Sequence, residues 1–179
     1  MLTFRPATAD DAMFISRGFH TAMLMEHPDE EEVRKFGEYI CTRDDVLYSA
    51  RNTTIAEVDG TPAGMITAYD GAGYHDTRQR TMKLIEQHLG ISFPGMEDES
   101  GPGEYYLDSL AVMPEFRGHG IGRQLLEHAI KKGLAAGLTV TLAVDPVNEN
   151  AQRLYRSLGF KPMGDLFIFG HTYWKWGIM

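Results

Sequence analysis

The chain has 179 residues, 25 of them Asp or Glu and 17 Lys or Arg, for a formal net charge of −8, with 43% hydrophobic and 23% charged residues. This length fits one domain that can bury a core without disulfides or a structural metal. The acidic balance argues against nucleic acid as a partner, because a binder of duplex DNA or long RNA needs a basic surplus. It mildly favours a cationic substrate, although solubility alone accounts for it. The single cysteine, Cys41, has no partner for an internal disulfide and no CxxC spacing for zinc, which suits a reducing compartment. Met1 to Asp10 lacks the basic-then-apolar pattern of a secretory leader, and no stretch approaches the ~18 apolar residues of a membrane span. A cytoplasmic setting with no membrane partner is therefore the default expectation.

Taken in chain order, Leu2 to Arg5 reads as a short strand stopped by Pro6. Thr8 suits a helix N-cap, with Asp10 and Asp11 in the first turn and Ala12, Ile15, Phe19, Ala22 and Met23 at helical spacing to about Met25. Pro28 interrupts. A second helix starts at Asp29 and carries Val33, Phe36 and Ile40 on its apolar face. Thr53 to Val58 and Pro62 to Tyr69 read as a hairpin around Asp59-Gly60.

The segment 70–104 reads as an insertion between neighbouring strands, with a short helix over Thr77 to Leu89 and an acidic loop from Gly95 to Ser100. Within it, Tyr74, His75 and the run Glu97-Asp98-Glu99 are expected to be solvated loop more than cleft lining. Tyr105 to Val112 is an apolar strand, Gly120 to Ala136 a helix with a broad apolar stripe, and Leu138 to Val144 a buried strand. Asn148 to Leu158 is a short helix closed by Gly159, and Phe160 with Leu166 to Trp176 supplies the last strands. Trp174 and Trp176 share a face of the final strand, in the core or at an interface. The alternation of strand and helix predicts one α/β domain spanning 1–179.

The sharpest local feature is Arg117-Gly118-His119-Gly120-Ile121-Gly122, which joins a buried strand to a helix. Its glycines let consecutive N–H groups approach an anion, and the helix start adds unpaired donors and partial positive charge. Arg117 and Arg123 add full charges, so the loop is expected to hold a pyrophosphate. The spacing is not the G-x-G-x-x-G of dinucleotide binders, and the Lys-Ser/Thr of a Walker A loop is absent. The seven histidines, His20, His27, His75, His88, His119, His128 and His171, show no ligand spacing, so no metal is expected.

This loop matches the R/Q-x-x-G-x-G/A signature of the GNAT superfamily of acyl-CoA N-acyltransferases, and Leu110-Ala111-Val112 and Pro114-Glu115 before it are typical of that family. Downstream, Asn148 to Phe160 resembles the family's second motif, N-x-x-A-x-x-L-Y-x-x-x-G-F. The two occur in the family's order and spacing. The resemblance implies a GNAT fold: a mixed central sheet of about six to seven strands, flanked by about four helices and splayed at its central parallel strands.

It also implies acetyl-CoA as co-substrate. Backbone groups of Leu110, Ala111 and Val112 would pair with the pantetheine arm, and one N–H near Leu110 would polarise the thioester carbonyl. Residues 117 to 123 would hold the pyrophosphate. Asn148 would contact the arm or fix the following helix, with Ala151 and Tyr155 of the same motif at the cofactor. Tyr155 would be the general acid: a phenol of pKa about 10 stays protonated at neutral pH and can donate to a thiolate of pKa about 8.5. Strand alternation puts Tyr106, Asp108 and Leu110 on one face, where Asp108 would bind or deprotonate the amine, directly or through water. The expected activity is acetyl transfer to a primary amine of unspecified identity in a ternary complex. The alternative is a non-catalytic acyl-CoA sensor. Dimers are common for this size and family, so a homodimer is allowed.

Overall fold

The computed structural model describes residues 1–23 and 30–179; the expected helix end near Met25, the break at Pro28 and the helix start at Asp29 lie outside the described residues. Strand β1 (Leu2–Pro6) includes Pro6, which pairs with Thr54 at the sheet edge. Thr8 begins a short 3-10 turn, Ala9–Asp11, that runs into helix α1 (Ala12–Met23). The Thr8 amide donates to Asp11 at 2.8 Å. Arg5 forks onto both oxygens of the same carboxylate at 2.7 and 2.8 Å and reaches Glu57 with Nε at 2.7 Å, fixing α1 to the first two strands. The guanidinium hydrogen bonds hold the Asp11 carboxyl at about 2, below its ordinary 3.8.

A depressed carboxyl contributes stability above its unfolded pKa and loses it as pH falls through the folded one. Asp11→Asn is therefore expected to cost about 1 kcal/mol at neutral pH, after allowing for solvent screening of the half-exposed arginine. In thermal melts the deficit should fade as pH falls from about 4 towards 2.

Helix α2 (Glu30–Cys41) buries Phe36, Ile40 and Cys41 against the face bearing α1, as its spacing predicts. Strands β2 (Thr53–Val58) and β3 (Thr61–Asp70) form the expected hairpin, in which Asp59 and Gly60 both take positive φ, 50° and 80°. Helix α3 (Tyr74–Leu89) is longer than the sequence pattern suggested. The insertion has a tight neck: a Cβ placed on Gly71 would lie 2.3 Å from the Gly101 carbonyl oxygen. Beyond it come β4 (Glu104–Val112), α4 (Ile121–Ala135), β5 (Thr139–Val144) and α5 (Glu149–Ser157).

The C-terminus is a hairpin of β6 (Lys161–Ile168) and β7 (His171–Ile178). Its turn is Phe169-Gly170, both with positive φ, and the phenylalanine there gives no turn signal in the sequence. Trp176 is core at 1% exposure, with Trp174 stacked 6.5 Å away.

The seven strands form one sheet in the order β1-β2-β3-β4-β5-β7-β6. One core lies on the α1, α2 and α3 face and includes Ile15, Ile40, Met65 and Tyr106; the other lies under α4 and includes Leu125, Leu142 and Trp176. Only β4 and β5 run parallel, and they pair over just three residues each, from Glu104↔Thr139 to Tyr106↔Thr141. Beyond Tyr106 the two part, while β3 stays paired to β4 and β7 to β5. The mixed sheet and its central split agree with the expected architecture, with five α-helices among the described residues in place of about four.

Candidate active site

The split opens a cavity of about 600 Å³, a size suited to small-molecule ligands. Ile85 and Tyr106 of its wall belong to the core on the α3 side, whereas Val144 belongs to the other core, against which Ala151 and Tyr155 pack. The cavity thus passes through the sheet where β4 and β5 no longer hydrogen-bond to each other.

On the α5 side, Asn148 caps its helix, its side-chain oxygen accepting from the Ala151 amide at 3.0 Å. This turns Ala151 and Tyr155, one turn apart, towards the cavity. The Tyr155 ring meets Phe160 edge-on at 5.9 Å, and burial pushes its phenol up, so it stays protonated at neutral pH.

The glycine-rich loop lies outside the cavity wall, at the end of β4. Gly118 and Gly120 take φ of 81° and 74°, the left-handed region, and Gly120 is the N-cap of α4. Gln124 is the residue whose amide reaches back to the Gly120 carbonyl, at 3.1 Å, which leaves the first-turn amides directed outward. A Cβ on Gly122 would touch Val112 at 3.5 Å and Leu110 at 3.8 Å, so the helix start abuts the open edge of β4. Arg117 and His119 are exposed, with Arg117 Nε donating to the Val112 carbonyl at 3.0 Å and His119 Nδ1 2.9 Å from the Arg117 carbonyl oxygen. Arg123 turns along its helix to Glu127 and across to Ser157, each at 2.8 Å. Ala111 and Ile121 are core side chains, so only their backbone is free to meet a ligand.

On the opposite side the strand does not keep its alternation. The β3–β4 register steps between Thr67/Ser109 and Ala68/Leu107, leaving Asp108 as the extra residue of a β-bulge. Tyr106 therefore packs in the core on the α3 side and Leu110 in the other, so the expectation of one shared face for Tyr106, Asp108 and Leu110 is corrected. The bulge presents Asp108 to Tyr69, whose hydroxyl donates to it, and to Ser109 Oγ at 2.6 Å.

Glu99 was hidden in the acidic run. It is 6% exposed and lines the same cavity, accepting hydrogen bonds from the Tyr74 hydroxyl at 3.0 Å and from the Tyr106 hydroxyl. Tyr74 is buried as well, so the solvated-loop reading holds for Glu97 and Asp98 and fails for Tyr74 and Glu99; His75 is exposed, but on helix α3 and not in a loop. The rings of Tyr69, Tyr74 and Tyr106 stand 6.0 to 6.3 Å apart around the two carboxylates. Burial, followed by the charge on Asp108, raises the Glu99 carboxyl to about 7. Burial also raises Asp108, against the hydrogen bonds from Ser109 and Tyr69. At neutral pH the two form one coupled acid–base unit.

The geometry thus brings Asp108, Leu110, Asn148, Ala151 and Tyr155 around one cavity and sets the loop 117–123 against the same strand edge. Among the described residues no group of three or more His, Cys, Asp or Glu is placed to hold a metal ion, and no helix is long and apolar enough to cross a membrane.

Among curated relatives, the N-alpha-acetyltransferase RimI of Mycobacterium tuberculosis is 41% identical over 90 residues, covering 50% of this chain and 54% of the relative. The peptidyl-lysine N-acetyltransferase YjaB of Salmonella typhimurium is 42% identical over 85 residues, covering 45% of this chain and 55% of the relative. The chain spans about half the length, or less, of the curated relatives it matches. The fold matches an N-acetyltransferase from Staphylococcus aureus Mu50 with a TM-score of 0.83 at 23% identity, covering 98% of this chain and 100% of that one. A second solved acetyltransferase matches with a TM-score of 0.79 at 28% identity, covering 98% and 97%. The model of the acetyltransferase (GNAT) family matches residues 18–160, and the chain belongs to that family.

Proposed function

We propose that this protein transfers an acyl group, in the first instance acetyl, from acyl-CoA to a primary amine by direct transfer in a ternary complex. The observation that carries the reading is the passage through the split sheet, with Tyr155 lining it beside the open β4 edge and Asp108 lining it on the bulge. Family membership and the names of the relatives, which are N-acetyltransferases, support it.

The acyl thioester supplies the electrophilic carbonyl; the chain supplies everything around it. The outward amides at Gly118 to Arg123, with Arg117, suit the pyrophosphate, and the unpaired edge of β4 at Leu110 to Val112 suits the pantetheine arm. A backbone N–H near Leu110 would donate to the carbonyl oxygen as negative charge develops there. Asp108 would accept a proton from the ammonium, directly or through water, freeing the nitrogen lone pair. As the C–N bond forms and the C–S bond breaks, Tyr155 would donate its proton to the departing sulfur, and the second proton lost from the nitrogen would leave through water and restore the phenol.

Incubating the protein with acetyl-CoA and a panel of primary amines while following free thiol tests this. Amine-dependent, saturable thiol release is expected. Saturable acetyl-CoA binding with no amine-dependent release would make the protein an acyl-CoA sensor.

A further inference from the structure

Two groups of polar side chains line the cavity beyond the β4 edge. Asp145, Asn148, His171 and Tyr173 form one, with His171 turned to Asp145; Asp108 and Glu99, held within the tyrosine cluster, form the other. The remaining wall on that side is apolar, built by Met82 and Ile85 of α3, Ile91 and Phe93 of the insertion, and Ile168 and Phe169 of the last hairpin. These come from segments fastened to one another. The Glu97 amide donates to the Phe167 carbonyl at 2.9 Å, Phe93 meets Phe169 edge-on at 5.1 Å, and Met96 packs with Leu166 and Ile168. No lysine or arginine lines the cavity among the described residues. Asp145, the one other carboxylate on that described wall, already faces His171 at 3.3 Å and accepts from the Val147 amide at 2.9 Å.

From this distribution, and resting on the transferase reading above, we infer that the substrate is a small primary amine with a single positive charge and an uncharged, apolar body. Its ammonium sits against Asp108 and Glu99, and its body lies on Ile85, Ile91, Phe93 and Phe169. A buried ammonium needs acceptors for its protons, and the two carboxylates provide them. An amino acid would bring a carboxylate with no lysine or arginine on the described wall to meet it, and His171 is already turned to Asp145. A polyamine would press its further ammonium groups onto apolar surface, where desolvation opposes them. Glu99 is a selectivity residue in this arrangement, because an ammonium placed there favours its carboxylate form and gains a second charged acceptor.

Calorimetric titration of the full chain near neutral pH with phenethylamine, phenylalanine, spermidine and phenethyl alcohol tests the inference, with thiol release from acetyl-CoA assayed in parallel. Phenethylamine is expected to bind at least about 10-fold more tightly than each of the other three. Glu99→Gln and Phe93→Ala should each weaken it by about 10-fold, with circular-dichroism melts confirming the fold; if one variant fails to fold, the other and the ligand series still decide. Spermidine, phenylalanine or the alcohol binding as tightly as phenethylamine would overturn the inference. So would an absence of phenethylamine binding, or a folded Glu99→Gln protein with unchanged affinity. Phenethylamine binding without thiol release leaves the inference standing and removes the transferase reading. Thiol release with another amine, while phenethylamine fails to bind, does the reverse.

Discussion

Tyr155→Phe is expected to lower kcat by about 10²- to 10³-fold while acyl-CoA affinity stays within about twofold. The substitution removes one hydroxyl and keeps the ring that meets Phe160 at 5.9 Å, so the helix and its packing survive. Burial holds the phenol in its protonated form across the working pH range, which suits a donor to a departing thiolate and not a base. The loss should fall on kcat because the proton is needed only as the C–S bond breaks, whereas the groups proposed to hold the pyrophosphate and pantetheine arm are mainly the loop 117–123 and the β4 edge. Pre-steady-state thiol release together with a coenzyme A titration separates the two quantities. Turnover within about twofold of the parent would remove Tyr155 from the chemistry.

Asp108→Asn should lower kcat/KM for the amine by about 10²-fold near neutral pH and abolish the acid limb of the pH–rate profile. The sign follows from the shift. Burial raises the Asp108 carboxyl, so it is protonated and unable to accept a proton at low pH, and the active carboxylate accumulates as pH rises. The parent rate should therefore climb with pH through a limb that belongs to the Asp108–Glu99 pair, not to one residue. Asparagine keeps the acceptor for Tyr69 and Ser109 but has no proton-accepting form, so its profile should be flat over the same span. A variant with the parent profile would exclude Asp108 as base.

The half of the site proposed for the cofactor was legible as structure in the sequence because it is local. The loop from Arg117 to Gly122 and the helix from Asn148 each carry their geometry within a dozen residues: a left-handed glycine, a helix start, a cap. The strands β2 and β3 were legible for the same reason, since Asp59-Gly60 fixes their register. The amine half was not. Glu99 belongs to an acidic run of ordinary solvated appearance, and what buries it are Tyr74, on a helix turn that propensity did not extend to, and Tyr106, on a neighbouring strand. The bulge at Asp108 was equally silent, because a one-residue slip in pairing leaves no mark on an apolar strand of this composition. Period-two reasoning therefore assigned Tyr106 and Leu110 to the same side when the structure puts them on opposite ones. The phenylalanine turn at Phe169 escaped because positive φ is unusual for that residue type.

The tight approach of Gly71 to Gly101 gives the molecule a built-in seam. The ends of the segment between those glycines are held a fixed distance apart, so a change of length in its exposed loop need not shift the register of β3 and β4. On the assignments made above, the parts that would hold the acyl donor and move its proton all lie outside the seam, whereas Ile85, Ile91, Phe93 and Glu99 lie inside it. On that proposal, selectivity for the acceptor and the transfer chemistry are carried largely by different stretches of the chain.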